Sequence, residues 1–231
     1  MPVEPADRSN SGGSLTLERG LRVLRVLAAH PEGLSVSNLA AALGTHRAGV
    51  YRLLGPLAAQ RLVVRDAAGL HTLDVGLIEL AGAVRPRLQA IATPVLQRLA
   101  DELGATTALT VRDGEEAVVL NVLEPRNADM HIAYRAGLRH ALDQAASGIA
   151  ILAGGPKQAG ERTAVREARR RGWAHSAGEL IPGATGVAAP LRIDGSDEQA
   201  SISAVWIELR DPAKAAERVT RAASAISDAL A

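Results

Sequence analysis

Residues 35–52, SVSNLAAALGTHRAGVYR, decide the fold. Ser35 is a natural N-cap for a short helix whose Leu39, Ala42 and Leu43 point inward, and Gly44 can take the positive φ at which such a helix ends. A turn must follow. Thr45 then caps a further helix, HRAGVYRLLGPLAAQ, in which Val50, Leu53, Leu54 and Leu57 form the buried stripe. His46, Arg47, Tyr51 and Arg52 project from its opposite side. Pro56 weakens its last turn, because proline has no N–H to offer the carbonyl of Arg52. Two short helices joined by a tight turn, the second presenting cations, are suited to the major groove of DNA, which is about 12 Å wide and admits one helix.

Working outward, LTLERGLRVLRVLAAH places Leu17, Leu21, Leu24 and Leu27 at helical spacing, and HPEG stops that helix. Downstream, RLVVRD and LHTL flank DAAG, a hairpin with glycine at its turn, which makes a wing. Residues 1–13 are rich in Pro, Gly and Ser and read as a disordered tail. Residues 14–73 therefore form a winged helix-turn-helix domain, and residues 74–85 a linker helix. Thr93-Pro94 reads as a helix cap followed by a first-turn proline. Residues 86–231 hold a second domain. It contains a strand pair about Asp113-Gly114, a third strand at MHIAY, helices at AASGIAILAG and ERTAVREARRR, strands at VAAPLRI and ASISAVWIEL, and a closing helix after Asp211. The fold class is α+β.

Composition narrows the function. The chain has no cysteine, which excludes disulfides, Cys–metal sites and thiol catalysis. No apolar run approaches the roughly 20 residues needed to span a bilayer, and the N-terminus lacks the order of a secretion signal, so a cytoplasmic, non-membrane protein is expected. The formal net charge is only +1, yet residues 15–65 carry seven arginines against two glutamates. That local excess fits a DNA-facing module. Arg47 can present a bidentate fork to guanine, with Tyr51 one turn later and Arg52 and His46 in reach of bases or phosphates. Ser35 and Ser37 begin a helix and can meet a phosphate. Arg65 and His71 flank the wing. The expected DNA-binding set is Ser35, Ser37, Thr45, His46, Arg47, Tyr51, Arg52, Arg65 and His71.

The stretch from Leu15 to Asp66 resembles the N-terminal domain of IclR-type regulators, with an early SLERAL-like helix, a SLSELA-like second helix and a VxRLLxxL recognition helix. RPRLQAIATPVLQRLADELGATTALTVRDGEEAVVLNVLEP and RRRGWAHSAGELIPGATGVAAPL resemble the same family's effector domain. The resemblance implies a GAF/PAS-like mixed antiparallel sheet, a small-molecule effector, and a repressor or activator. It also implies a homodimer or dimer of dimers on a pseudo-palindromic double-stranded DNA operator, with no cofactor or metal.

Several positions depart from the family pattern. Ala48 and Gly49 stand where many members carry Ser or Thr, which shifts base reading onto Arg47, Tyr51 and Arg52. The family's PLHATALGKALLA-like segment is ALDQAASGIAILA here, so Asp143 replaces a usual His and Ile149 a usual Lys. The chain is also shorter than usual between Gly154 and Glu161. The resemblance places Asp143, Ala146, Ser147, Ser176, Gly186, Trp206 and Glu208 at the effector site, for an aromatic or aliphatic metabolite. Two alternatives stay open: a second domain that is only a dimerisation scaffold, and a small hydrolase or metal-dependent enzyme. For the latter the sequence offers no HExxH, GxSxG or phosphate-loop pattern, only His131 and His140 near Asp143.

Overall fold

The computed structural model describes residues 14–127, 134–193, 195, 197–207 and 211–231. Residues 1–13, read as a tail, and most of the MHIAY strand lie outside them. The chain divides into two compact units, one ending at Val84 and one running from Arg85 to Ala231.

The first unit begins with α1 (Leu15–Ala28), α2 (Val36–Leu43) and α3 (Arg47–Ala59). The hydroxyl of Ser14 accepts from the N–H of Leu17, and that of Ser35 from the N–H of Asn38, so both helices are capped by serine. Gly44 closes α2 at φ +60, the left-handed conformation expected of it. The N-cap of α3 is His46, which makes no side-chain capping bond. Thr45 is not that cap: its N–H is spent on the carbonyl of Ala40, ending α2. Pro56 lies inside α3, which continues to Ala59.

Val23, Leu27, Val36, Leu39, Val50, Leu53, Leu54 and Val63 make the core of this unit. The α1 stripe is offset from the expected one. Gly20, Val23 and Leu27 are buried, whereas Leu17 and Leu21 are 63% and 52% exposed. Both stripes obey the 3.6-residue period, so period alone does not choose between them. Ala42 likewise faces solvent, its inward place taken by Ala40. The wing follows as β1 (Val63–Arg65) and β2 (His71–Leu73), paired antiparallel, with the N–H of Leu70 bonded to the Asp66 carboxylate across the turn. The linker segment holds only a short helix, α4 (Gly76–Gly82).

The second unit opens with α5 (Pro86–Leu103). Thr93-Pro94 lies within this helix rather than at its start. The Thr93 hydroxyl donates to the Gln89 carbonyl at 2.7 Å and accepts from Asn121. A six-stranded antiparallel sheet follows, in spatial order β5-β4-β3-β8-β7-β6. Its strands are β3 (Thr106–Asp113), β4 (Glu116–Leu123), β5 (Arg139–Ala141), β6 (Ala174–Ala177), β7 (Ala184–Leu191) and β8 (Ala200–Ile207), with α6 (Ala145–Gly154) and α7 (Thr163–Arg171) between β5 and β6. The chain closes with α8 (Pro212–Leu230), capped by Asp211.

Strand alternation sorts the sheet's two faces. Leu109, Val187, Ala189, Leu191, Ile202 and Ala204 pack with Leu96, Leu99, Val219 and Ile226 of α5 and α8. On the other face, Ala146, Ile149, Ala150 and Ala153 of α6 meet Ala188 and the inner side of α7. Arg169 of α7 donates to the carbonyls of Leu152, Ala153 and Gly155, satisfying the acceptors at the end of α6. No helix among the described residues is long and apolar enough to cross a membrane.

Candidate nucleic-acid interface and effector pocket

The exposed side of α3 carries the chemistry of the first unit. His46, Arg47 and Arg52 are exposed and Tyr51 is 57% exposed. Arg47 and Tyr51 are four residues apart and share a face of the helix. Among the described residues neither Arg47, Arg52 nor Arg65 has an ion-pair partner, while ten other arginine–carboxylate pairs are formed elsewhere in the chain. Gly49 leaves room on α3 for Thr45, whose hydroxyl would lie 3.0 Å from a Cβ at that position.

Ser37 is exposed at the start of α2, beside Ser35, whose hydroxyl is engaged as the cap. Arg65 projects from the wing, its guanidinium over Gly69. His71 departs from the expected arrangement. It is 6% exposed and lies under the wing, its backbone bridged to Leu34, so its ring is turned away from any ligand at the surface. The reason is parity: in β2 the first residue faces inward. Burial pushes the His71 imidazole below its ordinary value, and Arg65 adds to the effect.

In the second unit, Tyr134, Ala146, Ser147, Ser176, Leu180, Ile181, Gly186, Ser203 and Val205 line a narrow pocket beside the start of α6. Four of the residues assigned from the sequence, Ala146, Ser147, Ser176 and Gly186, come together there. Trp206 does not. It lies on the opposite face of the sheet, packed with the α5/α8 core, its indole N–H donating to the Leu103 carbonyl at 3.1 Å. Asp143 is exposed in the turn before α6 and does not line the pocket; its carbonyl accepts from Arg162. Glu208 lies outside the described residues, as does His131. Trp173 packs against the core with Arg171 over its ring at 4.6 Å.

The start of α6 has no side-chain cap of its own. Its leading amides are served from far along the chain: Ala145 N–H donates to the Glu179 carboxylate at 3.1 Å, and Ala146 N–H to the Ser176 hydroxyl at 2.8 Å. Ser147 is hydrogen-bonded to His140 Nε2 at 3.1 Å and to the Tyr134 phenol, which burial holds above its ordinary value and therefore protonated. The hydroxyl of Ser203, a residue only 2% exposed, has no hydrogen-bond partner among the described residues.

Tyr134, Leu180, Ile181, Ser203 and Val205 were not singled out from sequence. The signal for two of them was present: Ser201, Ser203 and Val205 alternate on one face of β8, and Trp206 necessarily falls on the other. Among the described residues, no group of three His, Asp or Glu side chains is placed to hold a metal ion.

A winged helix-turn-helix joined to a six-stranded antiparallel sheet flanked by helices defines a class of bacterial regulator. Residues 16–67 match the model of the IclR helix-turn-helix domain, and residues 83–166 that of the bacterial transcriptional regulator IclR C-terminal domain. The chain belongs to the IclR family. It is 35% identical over 126 residues to the HTH-type transcriptional regulator Rv1719 of Mycobacterium tuberculosis, covering 54% of this chain and 48% of that protein. It is 26% identical over 149 residues to the regulator TtgV of Pseudomonas putida, covering 64% and 57%. The chain thus spans about half the length of the relatives it matches. Among solved structures, an IclR homologue from Microbacterium hydrocarbonoxydans complexed with 4-hydroxybenzoate superposes with a TM-score of 0.80 at 24% identity, over 93% of this chain and 98% of that one. HmgR of Pseudomonas aeruginosa superposes at 0.77 and 25% identity, over 92% and 97%.

Proposed function

We propose that this chain is a sequence-specific DNA-binding transcriptional regulator whose operator affinity responds to a small-molecule effector. The observation that carries the reading is the α3 surface, where Arg47, Tyr51 and Arg52 are exposed and neither arginine has an ion-pair partner among the described residues. Residues 14–73 bind DNA, 74–85 link, and 86–231 take the effector and support oligomerisation. Ser35 and Ser37 hold phosphate, Arg47, Tyr51 and Arg52 read bases, and Arg65 meets the backbone beside the wing. The pocket at the start of α6 is the effector site, and the relative crystallised with 4-hydroxybenzoate supports a small ligand for this fold.

The protomers pair. Leu15, Leu17 and Leu21 on α1, and Ile78 and Leu80 on α4, are all more than half exposed. Apolar surface of that kind favours burial against a second copy. A homodimer, or dimer of dimers, then addresses a pseudo-palindromic operator in the cytoplasm, associated with the nucleoid. An alternative, in which the second unit is only a scaffold, draws on the α6 amides being already satisfied within the chain.

The test is binding of the full chain to DNA fragments from the flanks of its own gene, followed by footprinting. The expected result is protection of two half-sites about one helical turn apart, roughly 34–36 Å, with affinity falling steeply as salt rises. Equal affinity for scrambled DNA of the same composition overturns the reading. A small molecule that shifts thermal stability and operator affinity together removes the scaffold alternative.

A further inference from the structure

The amide end of α6 is the natural place for an anionic ligand, since a helix N-terminus offers free N–H groups and a favourable dipole. In this chain that place is taken. Glu179 accepts from Ala145 and Ser176 from Ala146. Ala145 presents its N–H from φ +57, a conformation that L-residues avoid. The Glu179 carboxylate is held in turn by Arg162, 3.8 Å away, and the same arginine donates to the carbonyl of Asp143. The opposite condition holds at Ser203, another residue lining the pocket, whose buried hydroxyl has no hydrogen-bond partner among the described residues. A buried polar group in that state calls for a ligand atom or water.

We propose that Glu179 is the pocket's own carboxylate. It fills the anion-accepting end of α6, so the pocket takes an uncharged, hydroxyl- or carbonyl-bearing molecule, gripped by Ser203 and Ser176, and turns carboxylates away. Leu180, Ile181 and Val205 supply apolar walls for such a molecule, and Tyr134 a neutral phenol. A second carboxylate near Glu179 meets a like charge in a partly desolvated site. Arg162 offsets part of that repulsion, so the discrimination is a preference rather than absolute. The proposal rests on the effector reading above and specifies its ligand class.

The experiment compares the full chain with Glu179→Ala and Glu179→Gln, each checked for folding by circular dichroism. Formate at fixed ionic strength should raise the melting temperature of Glu179→Ala and leave the parent unchanged. By calorimetry, the parent should bind 4-hydroxybenzamide roughly ten-fold or more tightly than 4-hydroxybenzoate, and Glu179→Ala should reverse that order. If Glu179→Ala fails to fold, Glu179→Gln, which keeps the size and an acceptor oxygen, should narrow the gap to a few-fold. A parent that prefers the acid, equal formate stabilisation of both forms, or an unchanged gap in Glu179→Gln overturns the proposal and leaves the effector reading standing. If neither probe binds any folded form, the pocket is not a site for this ligand class, and both the proposal and the effector assignment fall.

Discussion

A Cβ added to Gly148 would lie 2.5 Å from the carbonyl oxygen of Leu142. That oxygen belongs to backbone and cannot swing aside, so the first turn of α6 depends on a missing methyl. Gly148→Ala should cost about 1–3 kcal/mol, read as a lower denaturant midpoint, while an alanine at exposed Gly55, with nothing within 4 Å, should be neutral or stabilising. On α3 the consequence is one of specificity. Arg47→Ala should lose about 1–3 kcal/mol of operator affinity, with the base preference relaxed at a single step. Equal loss on every sequence would identify Arg47 as a phosphate contact instead. The Ser35 cap and the left-handed Gly44 were legible in the sequence, because each acts within a few residues of itself, although the Thr45 cap expected for α3 is not formed. The bond from Ala145 to Glu179 was not legible, since the two residues lie 34 positions apart.

At the scale of elements, α1 and α4 carry more apolar surface than their own unit buries. Ile78 is 72% exposed and Leu80 60%. Ile78→Glu together with Leu80→Glu should leave the monomer folded and shift sedimentation toward it, with cooperative operator binding lost. Retention of the full oligomer would place the contact elsewhere. Most helices and long strands were legible in the sequence, since each runs for several turns or alternations. The stripe of α1 was not: Leu17, Leu21 and Leu24 satisfy the helical period as well as Gly20, Val23 and Leu27 do. Which stripe is buried depends on what α2, α3 and β2 present to it. Pro94 carries the local signal of a helix start, yet α5 runs through it, and the adjacent Thr93 hydroxyl bonds to Gln89 and Asn121. The three-residue strand β5 is too short to carry an alternation signal of its own.

For the whole molecule, two histidines, His71 buried and His175 half-buried, link stability to pH. His71 in the first unit and His175 in the second are both held below the ordinary value of 6.5, chiefly by burial, with Arg65 and Arg171 as the neighbouring cations and Asp66 and Glu179 opposing them. A depressed histidine binds its proton more weakly folded than unfolded. Its contribution is complete above pH 6.5 and is lost as pH falls toward the folded value. The melting temperature should therefore drop on acidification from neutrality toward pH 5, and His71→Gln should flatten the part of that drop belonging to the first unit. An unchanged slope would show that His71 does not titrate differently on folding.

The helix-turn-helix, the wing, the α+β class and the family are all encoded locally, because they rest on short-range chemistry: a serine before a helix, a glycine after it, alternation along a strand. The inward turn of His71, the place of Trp206 on the far face of the sheet, and the meeting of Glu179 and Ser176 with the amides of α6 emerge from the folded chain. Those outcomes depend on strand parity and on contacts between residues some thirty positions apart. No local pattern encodes such meetings, since they exist only once the sheet has brought β6 and its following turn against the start of α6.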